Sequence, residues 1–173
     1  ANSQTSAFGF IANTLAAPGT HTITVTSPAK AQTMSTLDAS TSGPTVGFSS
    51  QNQTINGGNA FDLSVTMGTS VQTTTTISVT TPTPAGVVTA INEANLGIMA
   101  QVVALDTSGT NFTIQFTGET GVENAFSISE SVSELNFSIP SGFTAANADI
   151  TVNGIQYSRA NNTIDDILSG ITL

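Results

Sequence analysis

The side chains of this chain able to do chemistry are few: one histidine, His21, two cations, Lys30 and Arg159, and eleven carboxylates. His21 lies in "THTITVT" with no carboxylate within several residues. A Ser-His-Asp relay needs a base oriented by an acid and a serine marked as nucleophile, and serine is everywhere here without such a mark. His21 therefore reads as a strand histidine on a packed or half-exposed face. Glu119 and Glu123 sit in a Gly-flanked turn, and Asp165 and Asp166 at the start of a possible helical turn. Glycoside hydrolysis needs two carboxylates facing each other across a cleft; these pairs read instead as a solvated turn and as acids favourably placed against a helix N-terminus. "DTSGTN", from Asp106, offers oxygen ligands but lacks the repeated acids and closing Glu of a calcium loop. The sequence thus nominates no catalytic, cofactor-binding or metal-binding residue, and no cofactor.

Composition narrows the classes further. The chain has 173 residues, a net charge of −9, only 8% charged residues and no cysteine. It is long enough to bury a core without staples, and neither disulfides nor thiolate metal sites are open to it. Thr, Ser, Asn and Gln supply the polar surface. Nucleic-acid binding needs clustered cations to displace counterions, and two scattered ones do not form a cluster. A polybasic membrane contact is excluded on the same ground. "AFGFIANTLAAP" is interrupted by Gly9, Asn13 and Pro18, too soon for a membrane span. There is no initiator Met and no signal-peptide pattern, and the alternation "ITL" runs to the last residue. These features read as a piece of a longer product whose final strand, Ile171 to Leu173, is completed elsewhere.

The elements that must position these residues read mostly as strands. β-Branched residues alternate with polar ones in "THTITVT" (Thr20 to Thr26), "FDLSVTM" (Phe61 to Met67), "TISVT" (Thr76 to Thr80), "IMAQVVAL" (Ile98 to Leu105), "FTIQF" (Phe112 to Phe116) and "FSIS" (Phe126 to Ser129). Short turn-rich pieces between neighbours favour antiparallel hairpins. One helix is well signalled: Thr83 caps, Pro84 takes the first position, Val87, Val88, Ile91 and Ala94 share a face, and Gly97 ends it. A second helix is suggested over Ser27 to Ala39, where Ala31, Met34 and Leu37 recur every third residue, and a third turn over Thr163 to Gly170. The threonine run Thr73 to Thr76 has the adhesive or ice-binding ladder as its functional reading, but Thr is also simply a soluble strand former. The N-x-S/T triplets at Asn52, Asn111, Asn136 and Asn161 are expected by chance in so Asn- and Thr-rich a chain.

Two soft breaks divide the chain, "DASTSGPTVG" (Asp38 to Gly47) and "IPSGFTAANA" (Ile139 to Ala148). Both cations, the histidine and the only tyrosine, Tyr157, lie outside them. Two flanks of similar character around a different middle fit an inserted domain.

Three stretches, in order, resemble one family. "GTHTITVTSPAKAQTMST", Gly19 to Thr36, and the closing "ADITVNGIQYSRANNTIDDILSGITL" are similar to two blocks of the bacterial flagellar filament cap protein, hook-associated protein 2. Val152, Asn153, Gly154, Arg159, Asn162, Asp166, Ile167, Gly170, Thr172 and Leu173 stand at the matching positions of the closing block. Ala85 to Ile128 resembles the helix, strand, hairpin and "TGxxN" unit of flagellin-type insert domains. Pro28 and Ala160 depart from the family's usual Leu and Ser.

The resemblance implies a mainly β fold with one or two short helices: two small antiparallel β domains, one inserted into the other. Residues 1–42 plus 146–173 would form the split domain and 43–145 the inserted one. It implies a structural protein without enzymatic activity or cofactor, which forms a homo-oligomeric ring at the filament tip and promotes flagellin insertion. Its partners would be further copies of itself, flagellin and the hook–filament junction proteins. It would be extracellular, on the flagellum, and exported without a cleavable signal peptide. The structural motif would be Asn153, Gly154, Arg159, Asn162, Asp166 and Gly170, with Arg159 pinning the returning chain through an ion pair or carbonyl contact and Asn153 and Gly154 making the tight turn before it. The alternative from another class is a surface- or glycan-binding β module of an adhesin, working through Thr/Asn-rich faces.

Overall fold

The computed structural model describes residues 8–38, 47–132 and 134–173. Twelve strands and one helix are assigned among these residues: β1 (Ile11–Ala12), β2 (Ile23–Ser27), β3 (Ala31–Asp38), β4 (Phe61–Met67), β5 (Thr73–Val79), α1 (Pro84–Glu93), β6 (Met99–Ala104), β7 (Phe112–Thr120), β8 (Phe126–Glu130), β9 (Leu135–Ser138), β10 (Ala148–Val152), β11 (Ile155–Arg159) and β12 (Ile171–Thr172). Every pairing is antiparallel. The sheets have the orders β6-β7-β3-β9, β5-β4-β8, β11-β10-β2 and β1-β12. The expected mainly β class with antiparallel sheets is what is found.

Alternation explains the larger core. Phe61, Leu63 and Val65 of β4 point inward while Asp62, Ser64 and Thr66 face out. Their side chains meet Ile77 and Val79 of β5, Ile128 of β8, Ile114 and Phe116 of β7 and Val87 and Ile91 of α1 in one buried cluster. Helix α1 starts as its sequence demands. The Thr83 hydroxyl accepts from the Gly86 N–H at 3.0 Å, Pro84 fills the first turn, and the helix presses so close to the preceding loop that a Cβ on Gly86 would lie 1.9 Å from the Thr81 carbonyl oxygen.

The smaller core consists of Ala29, Ala148, Ile150, Val152 and Ile164, with Ile23, Tyr157, Ile167, Leu168 and Leu173 packed at its margin. It lies on one face of β11-β10-β2 and is covered by the closing tail. The chain passes between the two cores at Ala29–Lys30 and returns near Ala146, where Lys30 and Ala146 bridge each other with backbone bonds of 2.8 and 3.1 Å.

Three expectations need correction. The helix suggested over Ser27 to Ala39 is strand β3, bonded to β7 and β9. Its inward set is Gln32, Met34 and Thr36, so two of three core positions are polar and apolar periodicity points to the wrong repeat. Those polar groups are satisfied: Gln32 Nε2 donates to the Phe126 carbonyl at 2.5 Å, and the Asn136 N–H donates to the Thr36 hydroxyl at 3.2 Å. Thr163 to Gly170 is likewise not helical. Ile164 and Leu173 exchange both backbone bonds, 3.0 and 2.8 Å, which closes this stretch into a loop. Finally, the last strand is not left without a partner, because β12 pairs with β1, Ile11 opposite Thr172 and Ala12 opposite Ile171.

The expected first break, Asp38 to Gly47, falls mostly outside the described residues. Strand β3, within residues 1–42, hydrogen-bonds to β7 and β9, which lie within 43–145. Bonding therefore changes sides at residue 30, earlier than composition suggests.

Candidate functional site at the waist between the cores

The closing sequence block bonds back to the opening flank of the chain at several separate points. Asn153 and Gly154 turn β10 into β11 with positive φ at both positions, 52° and 85°, the geometry of a two-residue turn matched to strand twist. Asn153 also grips the other flank of the chain. Its Oδ1 accepts from the Thr22 N–H at 3.0 Å, its own N–H donates to the Thr22 carbonyl at 2.8 Å, and its Nδ2 lies 3.1 Å from Nδ1 of the exposed His21. His21 is thus not a strand histidine on a packed face: it is exposed, precedes β2 and contacts an amide.

Arg159, at the end of β11, places Nε 2.9 and 3.1 Å from the two carboxylate oxygens of Asp166. It donates from Nη1 to the Ser158 carbonyl at 2.9 Å and stacks its guanidinium 5.6 Å from the Tyr157 ring centre. The two side chains are 35% and 55% exposed, so water competes for both charges. Asn162 makes the stronger tie: Oδ1 accepts from the Ala29 N–H at 2.7 Å and Nδ2 donates to the Ala29 carbonyl at 3.0 Å, imitating a strand partner. Gly170, at φ 72°, sits so close to the first flank that a Cβ would lie 2.4 Å from the Ala16 nitrogen. Its carbonyl accepts from the Asn13 N–H at 2.9 Å. These residues are not gathered at one point: Asn153 bonds to Thr22 at the turn end of the β10–β11 hairpin, Arg159 pairs with Asp166 from its other end, Asn162 bonds to Ala29 and Gly170 meets Asn13 and Ala16, while Asp165 is exposed.

A second set of contacts joins the cores, and the sequence reading gives it no role. Gly121 has φ 101°, and a Cβ there would stand 2.6 Å from that of Ala160. The Gly121 N–H donates to the Lys30 carbonyl at 3.3 Å, the Val122 N–H to Asn147 Oδ1 at 2.9 Å, and Asn147 Nδ2 to the Ser158 hydroxyl at 3.2 Å. The Thr120 hydroxyl reaches Asn161 Oδ1 at 3.2 Å. A signal is present: Thr120 to Asn124 is the "TGxxN" unit, and Ala160 is a position where the chain departs from the resembling block.

The remaining candidates are occupied locally. Glu123 accepts from the hydroxyls and N–H groups of both Ser70 and Thr69, at 2.6 to 3.3 Å. The Ser70 hydroxyl contributes most to holding its carboxyl at about 2, below the usual 4.5. Asp106 accepts from the Thr110 N–H and hydroxyl inside its own loop, which lowers its pKa. Among the described residues no group of three metal-ligating side chains comes together, and no helix is long and apolar enough to cross a membrane. The threonine run forms half of β5, where Thr74 bonds Thr66 across the sheet at 2.8 Å.

No protein-family model matches this chain, and no curated protein matches it in sequence. Solved structures do. The D1-D2-D3 domains of the flagellar cap protein FliD from Escherichia coli share 26% identity and a TM-score of 0.75, with 96% of this chain aligned to 52% of that one. This chain therefore spans about half the length of that structure. The D2-D3 domains of the cap protein from Serratia marcescens give 22% identity and 0.73, over 96% of this chain and 91% of that one. FliD (HAP2) from Pseudomonas aeruginosa PAO1 gives 23% and 0.60, over 95% and 76%. The resemblance carried by three sequence blocks thus holds in three dimensions: the chain has the fold of the D2-D3 domains of flagellar cap proteins.

Proposed function

We propose that this chain is the outer, β-rich part of a flagellar filament cap, a structural component that sits at the filament tip and promotes insertion of flagellin. The observation that carries the reading is the match of 96% of the chain to D2-D3 cap-protein structures, at a TM-score of 0.75 and 26% identity in one of them. Nothing in the matches favours the adhesin alternative. The chain acts by shape and contact, as part of a homo-oligomeric ring whose further partners are flagellin and the hook–filament junction proteins. It works outside the cell on the flagellum and is exported without a cleavable signal peptide.

The division of labour follows the bonding. We assign residues 8–30 and 146–173 to a split unit and 31–145 to an inserted one. Asn153, Gly154, Arg159, Asn162, Asp166 and Gly170 serve as a clamp that makes one unit of two distant flanks. Deleting the gene tests the reading: cells that lack the cap are expected to lose flagellin to the medium as unpolymerised monomer. Normal filaments in the deletion strain would contradict it.

A further inference from the structure

Two Asn-Gly steps lie among the described residues, Asn56-Gly57 and Asn153-Gly154. Such a step carries its own nucleophile. The main-chain nitrogen of the glycine can attack the asparagine Cγ, and the lack of a Cβ on the glycine leaves the approach open. The two steps share nearly one backbone: Asn56 and Asn153 both have φ 52°, and Gly57 and Gly154 have 58° and 85°. Both glycines are exposed. What separates the steps is therefore what surrounds the two amides.

The Asn153 amide is met at both its oxygen and its nitrogen by groups that suit the loss of ammonia. Its Oδ1, on which negative charge builds as the glycine nitrogen attacks, accepts from the Thr22 N–H at 3.0 Å. A main-chain N–H aimed at that oxygen does the work of an oxyanion-hole donor. Its Nδ2, the leaving nitrogen, lies 3.1 Å from Nδ1 of His21. Once Cγ is tetrahedral this nitrogen is basic, and an imidazolium at hydrogen-bond distance can hand it a proton. His21 is exposed, so solvent can recharge it. A Cβ built on Gly154 would meet nothing within 4 Å, so no packing obstructs the turn as the ring closes.

The Asn56 amide has neither aid. Its Nδ2 donates to the Asn59 carbonyl at 2.9 Å and to the Ala60 carbonyl at 3.4 Å, and a carbonyl has no proton to give. Glu134 accepts from the main-chain N–H of Asn56, not from its side chain. Among the described residues no donor bonds its Oδ1.

We infer that Asn153 is a site of self-modification, at which the Thr22 N–H and His21 drive loss of the side-chain amide. The Gly154 nitrogen forms a bond to Cγ and gives up its proton to water. The Cγ–Nδ2 bond breaks, and ammonia leaves with the proton from His21, which solvent replaces. Water then opens the cyclic imide at one or other carbonyl to give aspartate or isoaspartate, with nothing oxidised or reduced. The aspartate keeps an oxygen that can accept from Thr22 and sets a carboxylate beside His21. The isoaspartate runs the main chain through the side-chain carbon, so the two-residue turn is lengthened and no longer matches the strands it joins. Either product alters the tie between the closing hairpin and the opening flank.

Peptide mapping by mass spectrometry of the complete protein, held folded at neutral pH, tests this. Asn153 is expected to convert at least about tenfold faster than Asn56. In urea, where only local sequence remains, the two rates should come together. H21Q keeps a hydrogen-bonding side chain but has no ionisable proton; it is expected to slow Asn153 about tenfold and to leave Asn56 as it was. Imidazole added to the buffer should restore part of that loss. Asn56 converting as fast as Asn153 in the folded protein would overturn the inference, as would an Asn153 rate that H21Q leaves unchanged or raises. A difference that persists in urea would trace to local sequence and overturn it too.

Discussion

In the larger core Phe48, Leu63, Val65, Ile114 and Phe116 are wholly closed to solvent, between two sheets and a helix. The smaller core has five buried residues, two of them alanine, and borrows half-buried Ile23, Tyr157 and Leu173 to complete its cover. Around the first, most polar residues alternate outward, and the buried Gln32, Thr36 and Thr113 are satisfied within it. Around the second, Asn153, Asn162 and Gly170 bind backbone directly across the two flanks. Both cores use side-chain to main-chain bonds, but in the thick one they lie inside a large apolar interior, whereas in the thin one they carry much of the tie between the two flanks.

That contrast can be broken from either side. Phe116→Ala empties the middle of the larger core and is expected to cost about 3–5 kcal/mol. Calorimetry should then show an early transition, and a single unshifted one would mean that the larger core is not where stability lies. Gly121→Val attacks the junction, where the added carbons meet Ala160 and φ is positive. It is expected to cost about 1–3 kcal/mol and to loosen both units together; hydrogen exchange that rises in only one of them would show them to be uncoupled. Asn162→Ala leaves the Ala29 N–H and carbonyl without their partner, for about 1–2 kcal/mol. Faster exchange confined to residues near Ala29 and Ile164 is the expected mark, and protection that is unchanged would remove Asn162 from the clamp.

Arg159→Ala is expected to cost only about 0.2–1 kcal/mol, because its ion pair with Asp166 is half in water. A larger loss would mean that its stacking on Tyr157 or its carbonyl contact carries the role instead. Smallest is an effect of acid. Glu123 has its pKa depressed to about 2 in the fold, against an ordinary 4.5. Its contribution is therefore complete above about pH 4.5 and is lost as pH falls through about 2. Protection factors at Thr69 and Ser70, with the intrinsic pH dependence of amide exchange divided out, should fall as the pH drops through that window and be constant above it; Glu123→Gln should abolish that fall.

The same contrast decides what is legible in the sequence. Strand β4 can be read at its true bounds, Phe61–Met67, and α1 from Thr83 and Pro84, because burial there obeys plain periodicity. Strand β3 cannot, since Gln32 and Thr36 are buried by virtue of partners 94 and 100 residues away, which no local pattern encodes. In the smaller core periodicity says little, and its sequence block is recognisable by resemblance instead. The turn at Asn153 and Gly154 is short-range, and so is the surrounding of Arg159, for which the resemblance implies an ion pair or a carbonyl contact without choosing between Asp165 and Asp166. The junction at Gly121, Asn147 and Ala160 joins residues distant along the chain and cannot be named from sequence.

The amide of Asn162 bonds to Ala29 across 133 residues, and that of Asn153 to Thr22 across 131. An unfolded chain closes loops of that length slowly and at considerable entropic cost. Once β3 to β9 have formed, the Lys30–Ala146 bridge stands ready-made and the long loop has become a fixed spacer. The flanks then need to close only a short gap. On that order the larger core would serve as a template for the smaller one, and assembly of the smaller core should lag behind the larger in refolding followed by pulsed hydrogen exchange. Slowing the larger core should delay the clamp by the same interval, whereas weakening the clamp should leave the larger core's rate untouched.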